Sequence, residues 1–191
     1  MVLLAVAALA GPTKELPRPW LKWMNEDVVY IITDQERATL HRLKSNQEFE
    51  QFVVQFWLRR DPTRDTPENE FKEEHYRRIA YADDHFQSQI PGWKTDRGKV
   101  YIMLGAADEV TTLPALQSED WHYRSIQGLG TEIVIRFVIS APDGEYRLNA
   151  ESAEIVGSIE APQCEMLESM GAFDQICTRW STPRIITNTV K

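Results

Sequence analysis

The sequence predicts an α+β fold. A helical N-terminal half, three to four helices, packs on a small antiparallel sheet, and a less regular tail follows. Three observations predict it. Residues 68–87 place Phe71, His75, Ile79, Ala82 and Phe86 at helical spacing. Residues 132–139 alternate, with Ile133, Ile135, Phe137 and Ile139 on one face. Between them lies the joint Pro91-Gly92-Trp93-Lys94-Thr95-Asp96-Arg97-Gly98. After it, Val100, Ile102 and Leu104 alternate with Tyr101 and Met103, which reads as a strand. The joint is therefore expected to turn a helix into a strand.

The elements follow in order. Pro12, Pro17 and Pro19 mark an extended linker. Trp20-Leu21-Lys22-Trp23-Met24 reads as a short helix. Asp27-Val28-Val29-Tyr30-Ile31-Ile32 is β-branched and fits either a strand or a helix. Thr33-Asp34-Gln35-Glu36 has capping-box spacing, and the helix it opens turns Leu40 and Leu43 inward. Ser45-Asn46-Gln47-Glu48 repeats the device. The helix after it aligns Phe49, Phe52, Val53 and Phe56, with Trp57 beside them, a stripe expected in the core. Asp61-Pro62 ends that helix. Thr66-Pro67 is expected to open the next, over residues 68–87. Its polar flanks include the pairs Glu73–Arg77 and Glu74–Arg78. His75 reads as a satisfied core histidine and His85 as exposed.

Beyond the joint, residues 105–109 turn and residues 111–120 read as a loop. Trp121-His122-Tyr123-Arg124 is a second strand candidate. The alternating strand then ends in the turn Ala141-Pro142-Asp143-Gly144, and Glu145-Tyr146-Arg147-Leu148 pairs back as a hairpin. Residues 165–173 read as helical. Residues 185–190 fit an edge strand, a disordered tail or a docking segment. The expected organisation is an apolar segment over 1–16, an α+β domain over 17–150 and a C-terminal extension over 151–191.

Composition bounds the function. The chain has 191 residues, 42% hydrophobic and 26% charged, with a net charge of −8. Such a charge argues against sequence-independent nucleic-acid binding, which needs cations to displace phosphate counterions. Nine uncharged residues follow Met1 and end in Ala8-Leu9-Ala10, like the apolar core and cleavage site of an export signal. The basic leader of such a signal is missing. The segment reads as a truncated signal, or as an apolar arm that docks on a partner, a membrane surface or the domain itself. Cys164 and Cys177 fit one short disulfide loop in an oxidising compartment, worth about 3 kcal/mol, or two unpaired thiols. Neither belongs to a Cys-x-x-Cys pair, and no paired-histidine spacing points to a metal. No cofactor is expected.

Several linked stretches resemble one family. They are Phe56-Trp57, Arg60-Asp61-Pro62-Thr63, the run from Asn69 to Ala82, and Gly92-Trp93-Lys94-Thr95-Asp96-Arg97-Gly98-Lys99-Val100-Tyr101-Ile102. Over roughly residues 17–140 the chain is similar to the GWxTD-domain proteins. Trp121-x-Tyr123 also looks like that family's aromatic strand. Ala106-Ala107 departs from it, where the family tends to have proline. The resemblance implies bacterial origin, export to the periplasm or cell envelope, and a module attached to larger envelope proteins. It implies no activity.

The motif residues Gly92, Trp93, Thr95, Asp96, Arg97 and Gly98 each have a structural explanation. Pro91-Gly92 suits a type II turn, Trp93 packs back on the preceding helix, and Thr95 and Asp96 cap backbone N–H groups. Arg97 reaches a carboxylate, and Gly98 lets the chain enter the strand. Arg60, Asp61, Arg64 and Asp65 form a candidate polar network between two helix ends, or an anion site on a helix N-terminus. Three functions compete. The first is a non-catalytic, exported interaction module, a subunit or adaptor of an envelope assembly with a protein partner. The second is a hydrolase or lyase built on Asp61, Asp96, Arg97 and a histidine, His75 or His122, with Arg60 assisting. The third is a carbohydrate or peptide binder using exposed Trp20, Trp23 and Trp121. The second needs its groups to converge in one cleft, and the third needs an exposed platform.

Overall fold

A computed structural model describes residues 17–159, apart from 64, 127, 141 and 142, together with residues 188–190. The expectations for residues 1–16, Arg64, Ala141-Pro142, Cys164, Cys177 and the helix over 165–173 lie outside the described residues. The fold is α+β, with its helices mostly in the N-terminal half and an antiparallel sheet of four strands behind them.

The helical half is built by short capped helices. α1 (Arg18–Lys22) runs directly into a π-helical turn over Trp23–Asp27. Residues 28–31 then turn, so the β-branched stretch after Asp27 is not a strand. Val28, Ile31 and Ile32 are instead buried in the helical core. α2 (Asp34–Leu40) opens with the full capping box of Thr33 and Glu36. Leu40 is its fully buried anchor, while Leu43 lies past its end and is partly buried.

α3 (Asn46–Leu58) is capped by Ser45. Its aromatic stripe lies against α1 and the π-helical turn that follows it. Trp20 stacks on Phe49, and Trp23 meets Phe49, Phe52 and Phe56 edge-on. Burying such rings stabilises by about 1.5–3 kcal/mol each. α4 (Glu70–Phe86) begins later than Thr66-Pro67 suggests, because Asn69 is the cap and accepts the Lys72 amide. The Thr66 hydroxyl donates to the Thr63 and Glu68 carbonyls instead. Glu74 and Arg78, expected on a solvated flank, are buried and ion-paired at 2.7 Å.

The largest departure comes after the joint. Asp96–Leu104 is a helix, α5, and not a strand. Val100, Tyr101, Ile102 and Leu104 are all buried, so this helix is apolar nearly all round. A run of that kind looks alike as helix or strand to a periodicity argument. Gly105, at φ 77°, ends α5 with its N–H on the Tyr101 carbonyl. The Arg78 guanidinium donates to the Ile102 carbonyl and so covers the same helix end. The joint thus links helix to helix.

The sheet follows. β1 (Glu109–Leu113) pairs antiparallel with β2 (Ser118–Ile126), through a short 3-10 turn at Pro114–Leu116. The stretch expected as a loop is therefore a strand pair. β3 (Gly130–Ser140) lies antiparallel to β2, and β4 (Glu145–Leu148) forms the predicted hairpin with β3. α6 (Ala150–Gly157), capped by Asn149, was not foreseen. β5 (Asn188–Val190) adds parallel to β1, giving the order β4-β3-β2-β1-β5.

Two cores result. One fills the space among α1, α2 and α3 and reaches Phe71 of α4. The other joins Ala82 and Phe86 of α4 to α5, Trp121, Tyr123, Ile135 and Phe137 of the sheet, and Val156 of α6.

Candidate functional site

The joint packs backbone against backbone. Gly92 sits in a 3-10 turn (Gly92–Lys94) with no positive φ. A Cβ built on it would lie 1.9 Å from the Ala82 carbonyl oxygen of α4. A Cβ on Gly98 would lie 1.9 Å from the Gly92 carbonyl oxygen. The two glycines are therefore needed for close approach, not for the expected type II turn. They let α4, the turn and α5 stack without intervening side chains.

The other motif residues fasten this stack to its surroundings. Thr95 is buried. Its hydroxyl donates to the Gly92 carbonyl at 2.8 Å and accepts the Gly98 amide at 3.0 Å, capping α5. The Trp93 amide donates to Asp83 of α4 at 3.0 Å. Its carbonyl accepts the Tyr30 hydroxyl at 3.0 Å, and the two rings meet edge-on. Tyr30 belongs to the loop before α2, so this contact joins the helical half to the joint. Burial first, and then the charge of Asp96, push the Tyr30 hydroxyl up to about 12.

Asp96 accepts the Leu148 amide of β4 at 2.7 Å. Arg97 lies with its guanidinium 4.3 Å from the Tyr146 ring centroid and 5.3 Å from that of Phe86. It also approaches Glu119 of β2 at 3.8 Å. Glu119 in turn accepts the Trp121 indole N–H at 2.6 Å. Motif residues thus reach α4, β2, β4 and the loop before α2.

The second candidate network assembles differently from its sequence reading. Arg60 is fully buried and reaches back to Glu36, not to Asp61. Its two terminal nitrogens meet the two Glu36 carboxylate oxygens at 2.9 and 2.8 Å and also donate to the Phe56 and Ile31 carbonyls. Its guanidinium lies 3.7 Å from the Phe56 ring centroid. Arg59 adds a further donor to Glu36 at 2.9 Å. Burial works to raise the Glu36 carboxyl, but Arg60, Thr33 and Arg59 together hold it below its usual range. Asp61 is buried and accepts the Thr63 amide at 3.0 Å, and Asp65 is exposed.

Sequence reasoning missed Glu36 because it already has a role as the third residue of the capping box. Nothing in the local pattern signals its second partner 24 positions on. Leu148 and Glu119 carry no local signal either.

The remaining candidates have local roles. His75 is buried and donates through Nε2 to the Asp27 carbonyl at 2.6 Å. His122 sits on β2 opposite Glu109 and Val134. His85 is exposed and stacks on Tyr81 at 3.7 Å. Trp20, Trp23 and Trp121 are all buried, so they form no exposed platform. Among the described residues, no group of three His, Cys, Asp or Glu is placed to hold a metal ion. No helix among them is long and apolar enough to cross a membrane.

Fold and joint together define an α+β domain in which a glycine-packed turn joins two helices and its Asp96 and Arg97 reach the sheet. The model of the GWxTD domain matches residues 14–153, and the chain belongs to the GWxTD-domain family. Neither a curated protein nor a solved structure matches it.

Proposed function

We propose that this chain is a non-catalytic interaction module, exported by a bacterium and acting as a subunit or adaptor of a cell-envelope protein assembly. The observation that carries the reading is where the motif's polar atoms go. Thr95 caps α5, Asp96 holds a β4 amide, and Arg97 lies against two rings and Glu119. The alternative, a hydrolase or lyase, asks Asp61, Asp96, Arg97 and a histidine to face one cleft. Their contacts instead run to Thr63, Leu148, Glu119 and, for His75, the Asp27 carbonyl. Export draws support from the nine uncharged residues after Met1.

The test is chemical crosslinking in the native cell followed by purification of the full chain. Recovery of one envelope protein in fixed stoichiometry supports the reading. A clean monomer carrying a small molecule that it converts overturns it.

A further inference from the structure

The two hydrophobic cores are joined by few side chains. Among the described residues of 17–61, Tyr30 is the one hydrophobic side chain that packs on the sheet core. Its neighbours Val28, Ile31 and Ile32 all belong to the helical core. In the other direction, Phe71 is the one buried hydrophobic residue beyond position 61 that joins the helical core, among the described residues. Charges are paired within each part. Glu36 meets Arg59 and Arg60, Glu74 meets Arg77 and Arg78 on α4, and Asp120 meets Arg136 in the sheet.

The seam between α1–α3 and α4 is crossed by local bonds. The Asn69 side chain donates to the Trp57 carbonyl at 2.9 Å, and His75 Nε2 meets the Asp27 carbonyl at 2.6 Å. The Trp57 ring lies beside those of Phe71, His75 and Tyr76. The backbone crosses the seam through residues 62–69, which include Pro62 and Pro67 and are exposed over 65–68.

We propose that residues 17–61 form a cap that opens from the domain as one unit while α5 and the sheet stay folded, with Tyr30 as its latch on the joint. A contiguous segment with its own core is the kind of unit that opens below global unfolding. The latch closes on the motif tryptophan, since the Tyr30 hydroxyl donates to the Trp93 carbonyl and the two rings meet edge-on. The rest of the domain is fastened without the cap. Arg78 holds the Ile102 carbonyl, Thr95 ties Gly92 to Gly98, and Asp96 holds the Leu148 amide. A piece of 45 residues, 17 to 61, buries too little surface to stay ordered alone. Opening therefore unfolds the cap, and it uncovers Phe71 and His75 on α4. This goes beyond the interaction-module reading and does not depend on it.

The test is amide hydrogen exchange of the full chain in low urea, read on α3 and on the β2–β3 ladder. The α3 amides are expected to share one opening of lower free energy and weaker urea dependence than the ladder amides. Two variants then separate the units. Ile135→Val trims a fully buried side chain of the sheet core. It is expected to speed exchange of the ladder amides about two- to tenfold and to leave the α3 amides unchanged, because the cap opens with the sheet intact. Tyr30→Phe removes the latch bond from the closed state, so it is expected to speed both sets about fivefold. Acceleration of the α3 amides by Ile135→Val would show one cooperative unit and overturn the cap. Unchanged α3 exchange in Tyr30→Phe would overturn the latch.

Discussion

Asp96 and Leu148 are joined by a 2.7 Å hydrogen bond from the Leu148 amide to the Asp96 carboxylate, across 52 positions of sequence. The bond links the first turn of α5 to the outer strand of the sheet. An amide on a strand edge has no ladder partner, and a carboxylate is a strong acceptor for it. Asp96→Ala is expected to cost about 1.5–3 kcal/mol, the range for a hydrogen bond to a charged group. Asp96→Asn, which keeps an acceptor without the charge, is expected to lose less. Urea denaturation gives the size, and faster exchange of the Leu148 amide localises the effect. An alanine variant as stable as wild type would mean that the carboxylate is free for another task.

The glycines of the joint predict a reversal of sign. Inside a helix, glycine to alanine ordinarily stabilises by about 0.5–1 kcal/mol. Gly98 lies inside α5, yet a methyl group there would overlap the Gly92 carbonyl, and one on Gly92 would overlap Ala82. These are backbone atoms, which cannot rotate away. Gly98→Ala and Gly92→Ala are each expected to destabilise by roughly 3 kcal/mol or more, by forcing α4 and α5 apart. Gly157, the last residue of α6, meets nothing within 4 Å among the described residues and has no positive φ. Gly157→Ala is expected to raise the thermal midpoint. If all three alanines behave alike, close packing at the joint is not what the glycines serve.

How much was legible depends on whether the cause was local. The Thr33–Glu36 box and the β3–β4 hairpin have their causes within a few residues, and each is found as expected, whereas the buried face of α4 also takes in Glu74 and Arg78. α5 was misread because its apolar residues form a continuous run. The better clue was at its ends, where Thr95 caps and Gly105 terminates a nine-residue helix. The partners of the motif residues carry no local sign. Asp96 meets Leu148, Arg97 meets Glu119, and Glu36 meets Arg60 only after the chain has folded.

The Arg60–Glu36 pair is predicted to be sensitive to one-sided change. Glu36→Gln removes the carboxylate that both terminal nitrogens of the fully buried Arg60 meet. Breaking a buried pair in this way costs about 3–5 kcal/mol. Arg60→Met is expected to cost less, because Glu36 keeps Arg59 and the Thr33 amide. Chemical denaturation of the two variants ranks them, and the reverse order would show that the guanidinium matters chiefly through its contact with Phe56.

His75 predicts the pH dependence of stability. Burial is the largest influence on it and lowers its pKa to about 4. The hydrogen bond with the Asp27 carbonyl opposes this shift, and the charges of Arg78 and Arg60 add to it. In the unfolded chain the imidazole titrates near 6.5. Above that pH both states are neutral and the group has no effect. As the pH falls from about 6.5 towards 4, the unfolded chain takes up a proton that the folded one does not, so stability falls with pH. The loss from this residue is roughly 2 kcal/mol by pH 5 and roughly 3 kcal/mol by pH 4. Glu36, held below the usual carboxylate range, adds its own loss at the acid end of that window. The interval from pH 7 to pH 5 therefore isolates the histidine. Urea midpoints measured across it should fall steeply for the wild-type chain and stay nearly flat for His75→Gln. Parallel curves for the two would mean that the buried imidazole is not the group being titrated.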